Sequence, residues 1–474
     1  MSHAEWEPVI GLEVHAQLLT RTKLFCACET SFGDPPNTHC CPVCLGLPGA
    51  LPVLNGRAVE MAARAALALG CTIAEESVFA RKNYFYPDLP KGYQISQYEL
   101  PLAKHGAITL ENGRVARILR IHMEEDAGKN LHHGSLSVVD LNRAGTPLVE
   151  IVGEPDLRSA QEASEYLKKL RLVLIYLGVN DGNLEQGSFR CDANVSVRRR
   201  GTEKLGTRTE LKNINSFRFV EEAIDIEIAR QIAVLESGQS LREQTRGYDA
   251  NKKQTYALRD KESDAGYRYF PEPDLPPLRV GAEAIEAWRV SLPELPEAKR
   301  ARYVAELGLT PQAAGVLAAH PKVAAFYEAV LAAGADALRA ANFVQAELLR
   351  DVEQHGLEAS FPISPAQTAE LLGLVAQGTI SGKQLKEVYA LVARTESSPA
   401  EVVKARGLAV LSDESELERI AKEILEENAR QADAYRAGKT NLLGFFVGQL
   451  MKRTKGSASP ELANRILVRL LEGQ

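Results

Sequence analysis

Ile121-His-Met-Glu-Glu-Asp-Ala-Gly-Lys-Asn130, a short loop, then Val139-Asp-Leu-Asn-Arg-Ala-Gly-Thr-Pro-Leu-Val-Glu-Ile-Val-Gly-Glu-Pro-Asp156: this stretch sets carboxylates among sheet-forming residues. Glu124, Glu125 and Asp126 are consecutive, and Asp140 and Glu150 follow on segments that alternate or run apolar as strands do. Carboxylates gathered so closely repel one another unless cations lie between them, and hard oxygens of this kind suit Mg²⁺. The plainer alternative is that the acids mark turns and solvent faces. The rest of the chain adds weight to the metal reading.

Upstream, Val9 to Leu18 alternates cleanly, with Ile10, Leu12, Val14, Ala16 and Leu18 on one side and Gly11, Glu13, His15 and Gln17 on the other. An acid and an imidazole two residues apart on a strand suit metal ligation, although any half-buried strand needs a polar face. Downstream, Phe189 to Val197 repeats the pattern, presenting Arg190, Asp192, Asn194 and Ser196 opposite an apolar face, and Arg208, Glu210 and Lys212 share a face of a further strand. Strands carrying acid, amide and base on one side point to an antiparallel sheet that floors a polar site. Helices are expected after Gly56, after Ser159 (a capping box with Glu162) and from Ser216 to Glu236.

Seven cysteines are present, and five fall between Cys26 and Cys44. Cys26-Ala-Cys28 and Cys41-Pro-Val-Cys44 have the spacing of a closed tetrathiolate zinc knuckle, with Cys40 the spare; reduced thiols without metal are the alternative. The segment from Lys82 to Gln94 mixes Tyr84, Phe85, Tyr86 and Tyr93 with Lys82 and Lys91. Such a surface suits the stacking of unpaired bases, or equally a Pro-rich loop tucked onto a sheet by its tyrosines.

At 474 residues the chain is long enough for two or three domains, and its net charge of −6 excludes a generally basic nucleic-acid binder while leaving room for local Lys/Arg patches. No membrane-length apolar run or signal-peptide pattern occurs, so a cytoplasmic location is expected. Pro-rich composition around Tyr267–Pro277 and Leu292–Glu297 marks the end of a first domain, beyond which Ala, Leu and Glu recur with helical periodicity. Ser381-Gly-Lys383 and Lys452-Arg-Thr-Lys-Gly456 are candidate phosphate contacts or ordinary solvated helix ends. Ala437-Gly-Lys-Thr440 lacks the upstream glycine of a P-loop.

Val9-Ile-Gly-Leu-Glu-Val-His15, Lys82-Asn-Tyr-Phe-Tyr-Pro-Asp88, His122-Met-Glu-Glu-Asp-Ala-Gly-Lys129, Asp140-Leu-Asn-Arg-Ala-Gly-Thr-Pro147, Arg190-Cys-Asp-Ala-Asn194 and Glu210-Leu-Lys-Asn213 occur together and in order. In this combination the chain resembles the B-type chains of the heterotrimeric amidotransferase that converts Glu-tRNA(Gln) to Gln-tRNA(Gln), and often Asp-tRNA(Asn) to Asn-tRNA(Asn). The resemblance covers essentially the whole length.

The resemblance implies an α+β fold: a cradle domain over residues 1–292 on a mainly antiparallel sheet with helices, an all-α linker domain over 293–405, and a small all-α tail over 406–474 that contacts tRNA. It implies a ligase that uses ATP and Mg²⁺ to phosphorylate the carboxylate of the attached amino acid. Ammonia from the amidase subunit of the same amidotransferase, braced by its small third subunit, then displaces phosphate; a non-discriminating synthetase would supply the misacylated tRNA. By motif position Glu13, His15, Glu124, Glu125, Glu150 and Asp192 are assigned to the magnesium and phosphoryl-transfer site. Lys82, Tyr84, Lys91, Arg190, Asn194 and Lys212 are assigned to nucleotide, aminoacyl-end or phosphate contacts. Members differ in keeping the structural zinc knuckle, whose four positions this chain retains. Phe343 stands where the family pattern has Trp, which reads as a packing change. Which of the two tRNA substrates is used is not written in these motifs.

Overall fold

The computed structural model describes residues 5–134, 136–260, 264–355, 357–409, 414–454 and 458–472. The opening Met1-Ser2-His3-Ala4 and the Lys455-Gly456 end of the basic run lie outside them. The chain divides into two units, Met1–Ala298 and Lys299–Gln474.

The strands of the first unit are β1 (Trp6–Gln17), β2 (Thr72–Ile73), β3 (Ala80–Asn83), β4 (Tyr93–Ser96), β5 (Ala103–Thr109), β6 (Val115–Glu125), β7 (Lys129–His133), β8 (Leu136–Asp140), β9 (Pro147–Gly153), β10 (Phe189–Arg199), β11 (Thr209–Ile214), β12 (Gln244–Asp249), β13 (Gln254–Asp260) and β14 (Phe270–Pro271). Nine of them form one sheet in the order β13-β12-β11-β10-β1-β9-β6-β5-β2. Each neighbouring pair is antiparallel except β11 and β12, which run parallel. Parallel neighbours need a crossover rather than a tight turn, and the helix Phe217–Glu236 between them supplies it.

The alternation in β1 and β10 builds the core. Ile10, Leu12, Val14 and Ala16 meet Phe189, Cys191, Ala193 and Val195 in a layer that α1 (Gly56–Ala68), α2 (Ala160–Tyr176) and α3 (Phe217–Glu236) close from one side. The alternate residues of the same strands are thereby turned to the other face. The caps follow the sequence with one change. Ser159 accepts from the Glu162 amide as expected, but the Glu162 carboxylate reaches back to the Arg158 amide (2.7 Å) and takes Asn112 and Arg114 as well, so the reciprocal half of the capping box is diverted to a loop.

The second unit is helical, from Pro311–Leu317 through to Pro460–Glu472, with one small hairpin of Glu353–His355 against Glu358–Ser360. It holds two apolar clusters, one running from Tyr303 to Val403 and another from Leu417 to Leu471. Phe343 is buried in the former with its ring edge-to-face against Tyr389 at 5.4 Å. Ser381 caps the helix Gly382–Val392 in a capping box with Gln384, and Arg453 pairs with Glu427. With a mainly antiparallel sheet and helices followed by an all-helical region, the fold is α+β. Among the described residues no helix is long and apolar enough to cross a membrane.

Candidate active site

Register assembles the site. β1 lies between β10 and β9, and β6 lies beyond β9, so that Arg190, His15, Glu150 and His122 stand directly opposite one another in a row across four strands. The neighbouring row along the strands contains Asp192 opposite Glu13. Side chains at these positions are turned away from the core, since their strand neighbours fill it.

The donor atoms of His15, Glu124 and Glu150 all lie within 4.8 Å of one another. His15 Nε2 is 3.4 Å from Glu150 Oε2, and His122 Nε2 bridges Glu124 Oε1 (2.9 Å) and Glu150 Oε2 (3.2 Å). Gln94 donates to the other Glu124 oxygen at 2.5 Å, so both oxygens of that carboxylate are fixed. Two carboxylates converging with an imidazole fit a hard divalent cation that keeps positions open for phosphate and water. The electrostatics agree. Burial opposes charge on His122, yet Glu150 and Glu124 raise its pKa to about 9; burial likewise opposes charge on His15, and Glu150 raises it. Despite burial, the two histidines hold Glu150 well below the usual carboxylate range. Burial and repulsion from Glu150 and Asp192 push Glu13 up.

Cations and amides surround this centre. Lys212 Nζ donates to Asp192 at 2.6 Å and lies 3.2 Å from Glu210. Asn194 donates to Glu13 at 2.8 Å. Arg190 donates to Asp126 at 2.7 Å, a carboxylate that also accepts from Gln17. Lys82, although half-buried, is held charged by Glu124 and Glu150 against the cost of burial. Tyr84 donates to Gln94 at 3.2 Å. Lys82 and Lys212 line all three adjoining cavities, of about 570, 840 and 310 Å³.

Two expected residues are not brought here. Glu125 follows Glu124 on β6 and therefore projects to the opposite face, where it pairs with Lys91 and accepts from the Ile95 amide at 2.9 Å. The Lys91 stem lies under Gly46 of the cysteine loop, where φ is +67° and a Cβ would stand 2.4 Å from Lys91 Cγ. Both residues line a small cavity of about 90 Å³ beside Cys26 and Cys44. Conversely, His122, Gln94 and Asp126 belong to the centre and were not singled out. His122 sits two residues before Glu124, and strand periodicity alone puts the two on one face. Gln94 lies on β4, in the three-stranded sheet β14-β3-β4, so its arrival depends on tertiary structure.

The Sγ atoms of Cys26, Cys28, Cys41 and Cys44 also lie within 4.8 Å of one another, and Cys41 and Cys44 are 3.9 Å apart. A tetrahedral zinc with Zn–S of about 2.3 Å requires S–S edges of about 3.8 Å, so the four thiols fit. The Cys26 thiol and the Cys41 amide hold Cys44 as a thiolate with a pKa of about 4, while burial raises Cys28 to about 11. Cys40 stands outside the group.

Comparison with known proteins places these residues among close relatives. The profile described as the GatB/GatE catalytic domain matches residues 8–286, and that described as the GatB domain matches residues 325–471. A protein of Anaeromyxobacter sp. (strain Fw109-5) is 54% identical with all of both chains covered. Proteins of Solidesulfovibrio magneticus and Geobacter sulfurreducens are 52% and 53% identical, over 99% of this chain and all of theirs. All three are named as the B-type chain of an aspartyl/glutamyl-tRNA(Asn/Gln) amidotransferase.

Proposed function

The chain belongs to the GatB/GatE family, and on that premise we propose that it is the subunit of a tRNA-dependent amidotransferase that activates the side-chain carboxylate of Glu or Asp on a misacylated tRNA. The relatives' names support both substrates. The observation that carries the chemistry is the fixed His15, Glu124 and Glu150 donor set, flanked by Lys82 and Lys212 at the junction of three cavities.

A carboxylate is a poor acyl donor because its oxygen is a poor leaving group. Transfer of the γ-phosphoryl of ATP to that oxygen releases ADP and leaves an acyl phosphate. Nitrogen of ammonia then attacks the acyl carbon, phosphate departs, and the nitrogen loses a proton to give the amide. His15, Glu124 and Glu150 would hold Mg²⁺, which offsets charge on the transferring phosphoryl group. Lys82 and Lys212 are placed to take phosphate oxygens, with Asp192 orienting Lys212 and Asp126 orienting Arg190. His122 and Gln94 hold the carboxylates of Glu124 and Glu150 in position. An amidase subunit delivers the ammonia, a small third subunit completes the assembly, a non-discriminating synthetase makes the substrate, and the reaction belongs to the cytoplasm. The knuckle of Cys26, Cys28, Cys41 and Cys44 holds structural zinc.

The test is reconstitution with the amidase and small subunits, given Glu-tRNA or Asp-tRNA, ATP, Mg²⁺ and ammonium in place of glutamine. Amide that requires ATP is the expected product. Glu124→Gln should lower turnover about a hundredfold and Asp192→Asn about tenfold, each with tRNA affinity unchanged. Absence of amide in a folded, tRNA-bound complex would overturn the assignment.

A further inference from the structure

The turn between β3 and β4 leaves large aromatic surface in water. Phe85 is 80% and Tyr86 54% exposed, which a loop merely anchoring itself to a sheet does not need. The Phe85 ring is nevertheless fixed. It rests against Gly92, where φ is +74° and a Cβ would stand 3.2 Å from Phe85 Cε1. Behind it, Tyr84 meets Tyr86 edge-to-face at 6.4 Å and Tyr267 at 6.0 Å. Lys82 stands over the Tyr267 ring at 5.0 Å. These rings wall the open cavity of about 840 Å³, whose inner end is formed by Lys82 and Lys212 and whose rim carries Arg268 and a single acid, Asp88. The same two lysines line the polar cavity that contains His15, Glu124 and Glu150.

From this arrangement we infer that the cavity walled by Phe85, Tyr86 and Tyr267 stacks the unpaired terminal base of an RNA 3′ end. The inference rests on the amidotransferase reading and extends it to a specific base site. Rings held on one side and bare on the other suit stacking, which tolerates any base because every base has a π-face. The inner lysines and Arg268 outnumber Asp88, as sugar and phosphate require. A nucleotide ester with its base on the rings and its ribose near the lysines places an attached amino acid toward the carboxylate centre. The wide mouth lets a polymer continue outward, whereas the 310 Å³ cavity, rich in charged side chains, suits the phosphates of a free nucleotide.

The probe is a hairpin RNA with 2-aminopurine at its single-stranded 3′ terminus, bound to the full chain. Stacking on the rings should dim its fluorescence. Phe85→Ala combined with Tyr86→Ala should restore most of the emission and weaken binding about fivefold to a hundredfold. Both side chains are exposed, so the melting temperature of the variant should match the parent. An undimmed probe on the parent chain, or a variant that dims and binds as the parent does, overturns the inference. So does excess ATP that restores emission while the RNA stays bound, since the base in the cavity is then that of ATP. The readout needs no turnover. Dimming without amide formation keeps the base site and discards the reaction, and amide formation without dimming does the reverse.

Discussion

Lys23 shows how a single residue can link two sites. It is fully buried, and its ammonium donates to the carbonyls of His39 (2.7 Å) and Leu141 (3.3 Å) and to Cys44 Sγ (3.6 Å). One side chain thus ties the cysteine loop to the segment leading into β9, the strand that carries Glu150, and sets a positive charge against a thiolate cage. A bound zinc with four thiolates carries net charge −2, so removing the lysine exposes both the cage and two carbonyls. Lys23→Met should speed zinc release to a chelator about tenfold and cost about 2–4 kcal/mol of stability; Lys23→Gln, which keeps donors without charge, should retain more stability than zinc. Equal release rates in a folded Lys23→Met protein would refute the coupling. Nothing in the sequence advertises Lys23, because a lone lysine after a strand reads as solvated. Glu125 teaches the opposite lesson. Alternation along β6 already forbids Glu124 and Glu125 from sharing a face, and only grouping by motif put them together.

At the scale of elements, alternation made β1 and β10 legible, and their buried faces match residue for residue. The row of Arg190, His15, Glu150 and His122 was not legible, because it depends on which strands pair and in what register, and neither is local information. The same holds for β11 and β12. Their parallel pairing is fixed by α3, and a buried ion network pins that helix to the sheet edge. Glu227, with no exposure, accepts from Arg230 at 2.6 and 2.9 Å, from Gln231 at 2.9 Å and from Thr255 of β13 at 3.0 Å. Burial would raise its pKa, but hydrogen bonds from Arg230 and Gln231 outweigh burial and lower it. A carboxyl lowered on folding contributes stability above its unfolded pKa of about 4.3, and that contribution is lost as pH falls through the folded value. Glu227→Gln should therefore melt several degrees below the parent at pH 7, with the gap closing as the pH is taken below about 4. A gap that stays constant with pH would mean that the carboxylate charge contributes nothing.

For the whole molecule, the division of labour follows from where the cores and the chemistry lie. The carboxylate centre, the lysines, the aromatic cavity and the cysteine knuckle all belong to Met1–Ala298, and the apolar cluster beneath them draws its residues from Trp6 to Leu295. The second unit fills its two apolar clusters from its own helices. A unit with its own core and its own site should fold alone. A chain ending at Ala298 should thus show native near-ultraviolet dichroism and hold about one zinc. Given ATP and an aminoacylated acceptor hairpin, with the partner subunits present, it should release phosphate within about threefold of the full chain, since no group assigned to the reaction has been removed. The net charge of −6 leaves no general attraction for RNA, so the advantage of intact tRNA over the hairpin must come from discrete contacts. The tail domain is where they are proposed, and the truncated chain should lose that advantage while the full chain keeps it. A folded fragment that fails on the hairpin would show that helices beyond Ala298 complete the catalytic site. A fragment that still prefers intact tRNA would move the tRNA-body contacts onto the sheet domain.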